Sequence, residues 1–404
     1  MKKRVVITGL GVLSAIGIGK ESFRSSLKAG HSGIGRITLF DPSPFKSRIA
    51  GEIKGFDPSR YIDRKDIRWM DRFSQIAVAA SQLAVDDAGI KLDGDAGIII
   101  GTGTGGILWH QDAIEQYFYR GPAKMDPADI PKIMYNSAAG HISMRFGLQG
   151  EGYTVSTACA SGAHAVGEAH RLIRHGYAGV MIAGGTDVPL SPHLHGAWCA
   201  LRVLSTKNDV PEAASCPFDK NRNGFVLAEG AGILILEELE HALSRSANIY
   251  AEIIGYGTSF DASHITAPNA GGQIIAIQRA LDDGNVSPQE IDYINAHGTA
   301  TKINDKVETR AIKEVFGKRA YSIPVSSTKS MTGHTMGAAG AIELIACCLT
   351  LKDNIIPPTI NYSEPDPECD LDYVPNNARE ANVNTALSNS FGFGGNNAVL
   401  IIRK

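Results

Sequence analysis

Short apolar runs recur along the chain, each bounded by glycine or polar turn residues: R-V-V-I-T over 4–8, G-I-I-I over 97–100, V-M-I-A over 180–183, I-D-Y-I-N over 291–295 and A-V-L-I-I over 398–402. Most read as strands covered on both faces, because a half-exposed strand would alternate polar and apolar positions. Between several of them, apolar residues fall three and four apart, the spacing of a helix that buries one stripe. Strands alternating with helices predict a layered α/β architecture with mixed sheets. No apolar run reaches the ~18 residues of a membrane span. The N-terminal M-K-K-R-V-V-I-T-G-L-G is basic and then apolar, as an export signal is, but it is short and lacks a small-residue cleavage site. It therefore predicts a strand.

The pattern also repeats. S-Q-L-A-V-D-D-A-G over 81–89 resembles I-Q-R-A-L-D-D-G-N over 277–285, which sets Ala84 on Ala280. At the same offset G-I-I-I-G over 97–101 falls on Y-I-N-A-H over 293–297. I-T-G-L-G over 7–11 echoes I-I-G-Y-G over 253–257, and V-S-T over 155–157 echoes V-S-S over 325–327, each of this last pair leading into a small-residue helix. Similar segments in the same order predict two α/β halves, 1–245 and 246–404. A chain of 404 residues exceeds one ordinary core, and no Pro/Ser-rich linker suggests independently moving domains.

Composition narrows the function classes. Hydrophobic residues at 43% and charged residues at 20% fit a soluble globular enzyme, and a net charge of −3 gives no reason to expect nucleic acid or an anionic membrane as partner. Six cysteines without C-x-x-C spacing predict reduced thiols in a cytoplasm, and Cys347 and Cys348 lie in an apolar helical pattern that reads as core. Three motifs are set aside. G-T-G-T-G-G over 101–106 satisfies the dinucleotide fingerprint G-x-G-x-x-G, yet no second strand ending in a ribose-binding acid follows it. His193 and His195 have no third ligand with organised spacing, so they predict no metal site. The basic stretch R-K-D-I-R-W-M-D-R over 64–72 reads as a solvated helix face.

Chemistry enters with V-S-T-A-C-A-S-G over 155–162, which places Cys159 between a strand end and a Gly/Ala-rich helix. A helix N-terminus stabilises thiolate and can hold an oxyanion, so the position suits a nucleophile; a small buried residue is the alternative. N-A-H-G-T-A-T over 295–301 sets His297 at a strand end. K-S-M-T-G-H-T-M-G-A-A-G-A-I-E over 329–343 sets Lys329, His334 and Glu343 around a glycine-rich turn, and S-N-S-F-G-F-G-G-N-N over 388–397 is another such turn. Histidines at two strand-to-helix junctions, matched by a cysteine at a third, point to one shared site at strand ends.

These motifs, in this order, resemble the β-ketoacyl-[acyl-carrier-protein] synthases of the thiolase superfamily, and the resemblance extends from about residue 4 to 402, including F-D-K-N-R-N-G-F-V-L-A-E-G-A-G over 218–232 and P-D-P-E-C-D-L-D-Y-V-P over 365–375. It implies a duplicated thiolase-like α/β fold, layered αβαβα with two mixed sheets. It also implies decarboxylative condensation of an acyl thioester held on Cys159 with a malonyl-carrier thioester. His297 and His334 would stabilise the enolate, and Lys329 would orient or tune them. Glu343 would stand behind Lys329 as a partner rather than act as a base. The backbone N–H groups of Cys159 and Phe393 would form an oxyanion hole, with Phe393 in a mobile gate. Thr299 and Thr301 match positions near the pantetheine arm, and Lys65 and Arg68 match the basic face that docks an acidic acyl carrier protein. No cofactor is bound; the carrier supplies the phosphopantetheine, and no metal is required.

Small departures bear on the branch. Where fatty-acid enzymes usually have Pro-Leu-Gly before the Asp, this chain has Lys302, Ile303 and Asn304. The N-D-x-x-E-T pattern over 304–309, Ala228 and Thr104 resemble the ketosynthase subunit of type II polyketide synthases, which implies a heterodimer with a chain-length-factor subunit. A fatty-acid elongation synthase, acting as a homodimer, is the alternative. A non-catalytic chain-length-factor-like subunit fits poorly, because Cys159, His297 and His334 are all present. A degradative thiolase would need a second cysteine near the C-terminal turn, where this chain has none. Cysteine hydrolysis would need one His paired with the thiol and an orienting Asn or Asp.

Overall fold

The computed structural model describes residues 2–404, apart from the side chain of Lys124. Ten strands carry the fold. Those of the first half are β1 (Val5–Ser14), β2 (Gly97–Gly101), β3 (Gly152–Val155), β4 (Val180–Asp187) and β5 (Gly230–Glu238). Those of the second are β6 (Ala251–Phe260), β7 (Tyr293–Asn295), β8 (Val325–Ser326), β9 (Thr385–Gly392) and β10 (Asn396–Arg403). The first half has the order β3-β2-β4-β5-β1 and the second the order β8-β7-β9-β10-β6. Each begins with two parallel pairings and ends with two antiparallel ones.

The two mixed sheets implied by the sequence are present as these two five-stranded halves. A short antiparallel ladder from β1 to β6, Val5–Ile7 against Ala251–Ile253, joins them into one continuous hydrogen-bonded sheet. The apolar part of the N-terminal run is β1, which starts at Val5 and is buried at all its positions, whereas Lys2, Lys3 and Arg4 before it are exposed.

Five helices complete the layers: α1 (Arg72–Ala88), α2 (Ser161–His175), α3 (Ala270–Gly284), α4 (Asn304–Phe316) and α5 (Ala339–Asp353). α2 and α5 pack on each other and reach strands of both halves, which makes them the central layer. α1 covers the outer face of the first half-sheet, and α3, with α4 against it, covers the second. Among the described residues no helix is long and apolar enough to cross a membrane.

The internal repeat has a packing cause. A Cβ on Gly9 would collide with the Ala84 carbonyl and one on Gly11 with the Ala80 carbonyl; Gly255 and Gly257 stand in the same relation to Ala280 and Ala276. In each half a Gly-x-Gly strand lets the backbone of an alanine-bearing helix rest directly on the sheet. That contact fixes the depth of the outer helix, and with it the direction in which the strand ends face.

Candidate active site

β3 ends at Val155, and the chain turns through Ala158 at φ 51°, a left-handed conformation that non-glycine residues rarely adopt. The Ser161 hydroxyl locks this turn: it donates to the Ala158 carbonyl at 2.6 Å and accepts from the Thr157 N–H at 2.9 Å. α2 then starts at Ser161, so Cys159 sits just before the helix, 5% exposed, in a cavity of about 640 Å³. Helix-start stabilisation of the thiolate, expected from the sequence, is outweighed. Burial pushes the thiol up to about 12, although the charge of Lys329 and the N–H groups of Phe393 and of Cys159 itself pull it down. The resting group is a thiol, with two N–H donors already facing its sulfur. Those donors come together because position 392 is glycine: a Cβ there would lie 2.9 Å from the Thr157 carbonyl and 3.1 Å from the Cys159 nitrogen.

His297 and His334 line the same cavity, with ring centroids 5.3 Å apart and nearly perpendicular planes. The Met336 N–H donates to Nδ1 of His334 at 3.3 Å, and the Lys329 ammonium lies 3.3 Å from Nδ1 of His297. Both rings therefore carry their proton on Nε2. Burial and the charge of Lys329 hold both imidazoles well below the ordinary histidine value, His334 also depressing His297, so they are neutral N–H donors near pH 7. Lys329 donates to the His297 carbonyl at 2.6 Å and pairs with Glu343. Burial lifts the Glu343 carboxyl to about 7 against the pull of Lys329.

Residues that the sequence reading did not single out hold this pair in place. Both oxygens of buried Glu308 accept backbone N–H groups, from His297 and from Gly298, at 2.8 Å each, and Asn389 donates to it at 3.1 Å. The His334 N–H donates to the Val226 carbonyl at 2.7 Å, and its carbonyl accepts from the Ala228 N–H at 3.0 Å. Buried Arg222 donates to the Thr301 carbonyl at 3.0 Å and to Asp366 at 2.7 Å. A signal was available: Asn304 and Glu308 are four apart on a helix, hence on one face.

The remaining predicted residues separate into two groups. Thr299 and Thr301 line the cavity, their hydroxyls 3.0 Å apart, and Phe393 lines it with its ring 5.6 Å from that of Trp198. Lys65 and Arg68 are exposed and lie off the cavity wall, with Arg68 over the Trp69 ring at 5.3 Å.

The dinucleotide-like turn is closed to a phosphate. Buried Asp187 accepts from the N–H groups of Gly103 at 2.8 Å, Thr104 at 3.0 Å and Gly337 at 2.6 Å, and from the Thr104 hydroxyl at 2.6 Å. His193 is exposed, whereas His195 is buried with Nε2 2.8 Å from the Ser47 carbonyl. Cys347 and Cys348 are fully buried in α5.

Residues 2–242 match the family described as beta-ketoacyl synthase, N-terminal domain, and residues 250–363 match beta-ketoacyl synthase, C-terminal domain. The 3-oxoacyl-[acyl-carrier-protein] synthase 2 of Synechocystis is 48% identical over 409 residues, covering 100% of this chain and 98% of that one. Among solved structures, the ishigamide ketosynthase/chain length factor has a TM-score of 0.95 at 42% identity, with 100% of each chain covered. A type II PKS ketosynthase bound to the hexaketide, in complex with its acyl-carrier protein, has a TM-score of 0.93 at 36% identity, again with 100% of each chain covered.

Proposed function

The chain belongs to the beta-ketoacyl synthase family, and from that premise we propose that it is a condensing acyltransferase that extends an acyl thioester on Cys159 with malonyl-acyl carrier protein. One observation carries the residue roles: a thiol, two neutral imidazoles and two backbone N–H donors converge on one cavity. In the first step the Cys159 sulfur attacks the carrier thioester. The pantetheine sulfur departs with the proton that Cys159 gives up, while the N–H groups of Cys159 and Phe393 hold the carbonyl oxygen. Covalent storage frees the cavity for the second thioester.

In the second step the bond between the malonyl carboxylate and its α-carbon breaks and carbon dioxide leaves. The electron pair passes to the thioester oxygen, where Nε2–H of His297 and of His334 donate. The enolate carbon then attacks the acyl-Cys159 carbonyl, and the sulfur leaves as a thiolate that takes a proton from solvent to restore the resting thiol. Lys329 orients His297 and sets its field, and Glu343 holds Lys329. Thr299 and Thr301 line the path of the pantetheine arm, and exposed Lys65 and Arg68 form the proposed dock for an acidic carrier. The flexible neighbours of Phe393, Gly394 at φ 79° and Gly395 at φ 73°, suit a gate. Six free thiols support a reducing cytoplasm, and the two halves, 1–245 and 246–404, contribute to a single site.

The 48% identity to a 3-oxoacyl-[acyl-carrier-protein] synthase 2 favours fatty-acid elongation, and it shifts the balance away from the polyketide branch that Asn304, Ala228 and Thr104 suggested. Thr104 is also a weaker branch marker than its identity implies, because its hydroxyl bonds Asp187. The polyketide reading, with a chain-length-factor partner, keeps the support of two solved structures, the ishigamide ketosynthase/chain length factor and a type II PKS ketosynthase. Purified protein given a saturated acyl-carrier and malonyl-carrier should yield the singly extended β-ketoacyl-carrier, read by intact mass. An unreduced poly-β-keto chain formed only with a second ketosynthase-like subunit would establish the polyketide branch. Absence of any acyl adduct on Cys159 would overturn both.

A further inference from the structure

The two imidazoles are held in different ways. His297 takes its support from its own half: Glu308 accepts its backbone N–H at 2.8 Å, and the Lys329 ammonium lies 3.3 Å from its Nδ1. Nδ1 of His334 meets instead the Met336 N–H, at 3.3 Å. A strained turn offers that donor, because Met336 has φ 50°, a left-handed conformation that a side chain disfavours. Strain of this kind persists only where neighbouring contacts over-determine it.

Those contacts come from the first half. Gly337, next in the chain, donates its N–H at 2.6 Å to buried Asp187, at the end of β4. A Cβ on Gly337 would lie 2.5 Å from the Gly103 nitrogen and 2.6 Å from the Asp187 carboxylate, and a Cβ on Gly162 or Gly185 would collide with the Gly337 carbonyl. The turn is thus seated among three first-half backbones without slack. Asp187 is itself fixed by four further neutral donors: the Thr102 hydroxyl at 2.9 Å, the Gly103 N–H at 2.8 Å, and the N–H and hydroxyl of Thr104 at 3.0 and 2.6 Å. Gly162 lies in the first turn of α2, so the surface that receives the turn is continuous with the elbow that presents Cys159.

We propose that Asp187 is a positioning residue for the condensation: anchored in the first half, it holds Gly337 and so aims the Met336 N–H at Nδ1 of His334, which keeps the His334 proton on Nε2. The inference rests on the carrier-thioester reading above. Asp187 lies off the cavity lining and acts only through the turn. Without it the turn relaxes, the ring can take either tautomer, and one of the two donors to the developing oxyanion is lost for part of the time.

Asp187→Ala separates this role from a merely structural one, because its two effects run in opposite directions. Carbon dioxide release from malonyl-carrier should fall about tenfold, less than the hundredfold or more expected when such a donor is removed outright. Acylation of Cys159, read by intact mass, should not fall, since the carboxylate charge that is lost pushes the thiol up. In a His334→Ala background the same substitution should lower carbon dioxide release no further, whereas in a His297→Ala background it should lower it by the full factor. Unchanged release, equal loss of both activities, or a further loss in the His334→Ala background would overturn the placement and leave the synthase reading intact. The wild-type ring gives a second check that needs no folded variant of Asp187. In nitrogen NMR on isotope-labelled histidine, with the His334 signal assigned by its loss in His334→Ala, the imidazole should show the Nε2–H tautomer alone. Exchange between the two tautomers would overturn the placement. Neither acylation nor carbon dioxide release by the wild-type protein would overturn the synthase reading and the placement together.

Discussion

The turn after β2 and the turn after β7 stand at equivalent points of the two half-sheets, and in each a single buried carboxylate caps the backbone N–H groups. Asp187, at the end of β4, serves the first turn, and Glu308, on α4, serves the second. The first turn carries only glycine and threonine and packs against the start of α2, where a Cβ on Gly101 would collide with Ser161. The second carries His297. The same contrast holds one strand further out, where the junction after β3 presents Cys159 and the junction after β8 presents Lys329 and, after it, His334. Duplication supplied two braced sets of strand ends facing one crevice, and each set then took a different part of the chemistry. In the reaction proposed above, the first half would hold the acyl group and the second would stabilise the negative charge made by decarboxylation.

The largest expected effect comes from separating those two parts. Cys159→Ala should abolish acyl transfer, lowering condensation about a thousandfold or more, while carbon dioxide release from malonyl-carrier continues. His297→Ala should leave acylation of Cys159 measurable and lower carbon dioxide release about a hundredfold to a thousandfold, the usual consequence of losing one donor to a developing oxyanion. Intact mass for the acyl adduct and labelled carbon dioxide for decarboxylation read the two activities independently. If either substitution removed both activities equally, the assignment of one task to each half would be wrong.

A smaller effect bears on the frame. Gly11 and Gly257 occupy the same place in the two halves, each beneath a helix carbonyl, Ala80 in one and Ala276 in the other. Gly11→Ala and Gly257→Ala should each cost about 2–3 kcal/mol through overpacking, and by similar amounts. Denaturation midpoints, compared with the unchanged slope, measure this. A cost confined to one variant would mean that the two outer helices are not held alike.

The repeat was legible in the sequence because close packing of a helix backbone on a strand requires glycine on one side and a small residue on the other. Gly9, Gly11, Gly255 and Gly257, with Ala84 and Ala280, therefore leave a register that can be read without coordinates. Cys159, His297, Lys329 and His334 were legible because each sits in a short segment whose glycines and threonines announce a junction. The roles of Asp187 and Arg222 were not, since they engage backbone groups that become neighbours only after folding; Glu308 stood in view only as part of the N-D-x-x-E-T pattern, and the N–H groups it accepts likewise reach it only through the fold. The fingerprint over 101–106, set aside in the sequence for want of a ribose-binding acid, is occupied for a reason the sequence did not show: Gly101 meets α2, and Asp187, far along the chain, takes the N–H groups that a phosphate would need. The strands at 5–14 and 251–260 run longer than their apolar runs suggest, because the interior glycines that interrupt the pattern are the helix contacts.

The helix start beneath Cys159 was also visible in the sequence, but the burial that overrides it was not, and this gives the smallest and sharpest test. With the thiol at about 12, the thiolate fraction rises about tenfold per pH unit across the accessible range. Alkylation of Cys159 by iodoacetamide should therefore climb between pH 7 and pH 10 without levelling off. Lys329 belongs to the second half, and its charge opposes the burial of a thiol in the first, so Lys329→Met should slow alkylation at every pH in that interval. A plateau below pH 9 would mean that the helix start and the Cys159 and Phe393 N–H groups prevail over burial. An alkylation rate indifferent to Lys329 would mean that the two halves share a cavity without sharing its electrostatics.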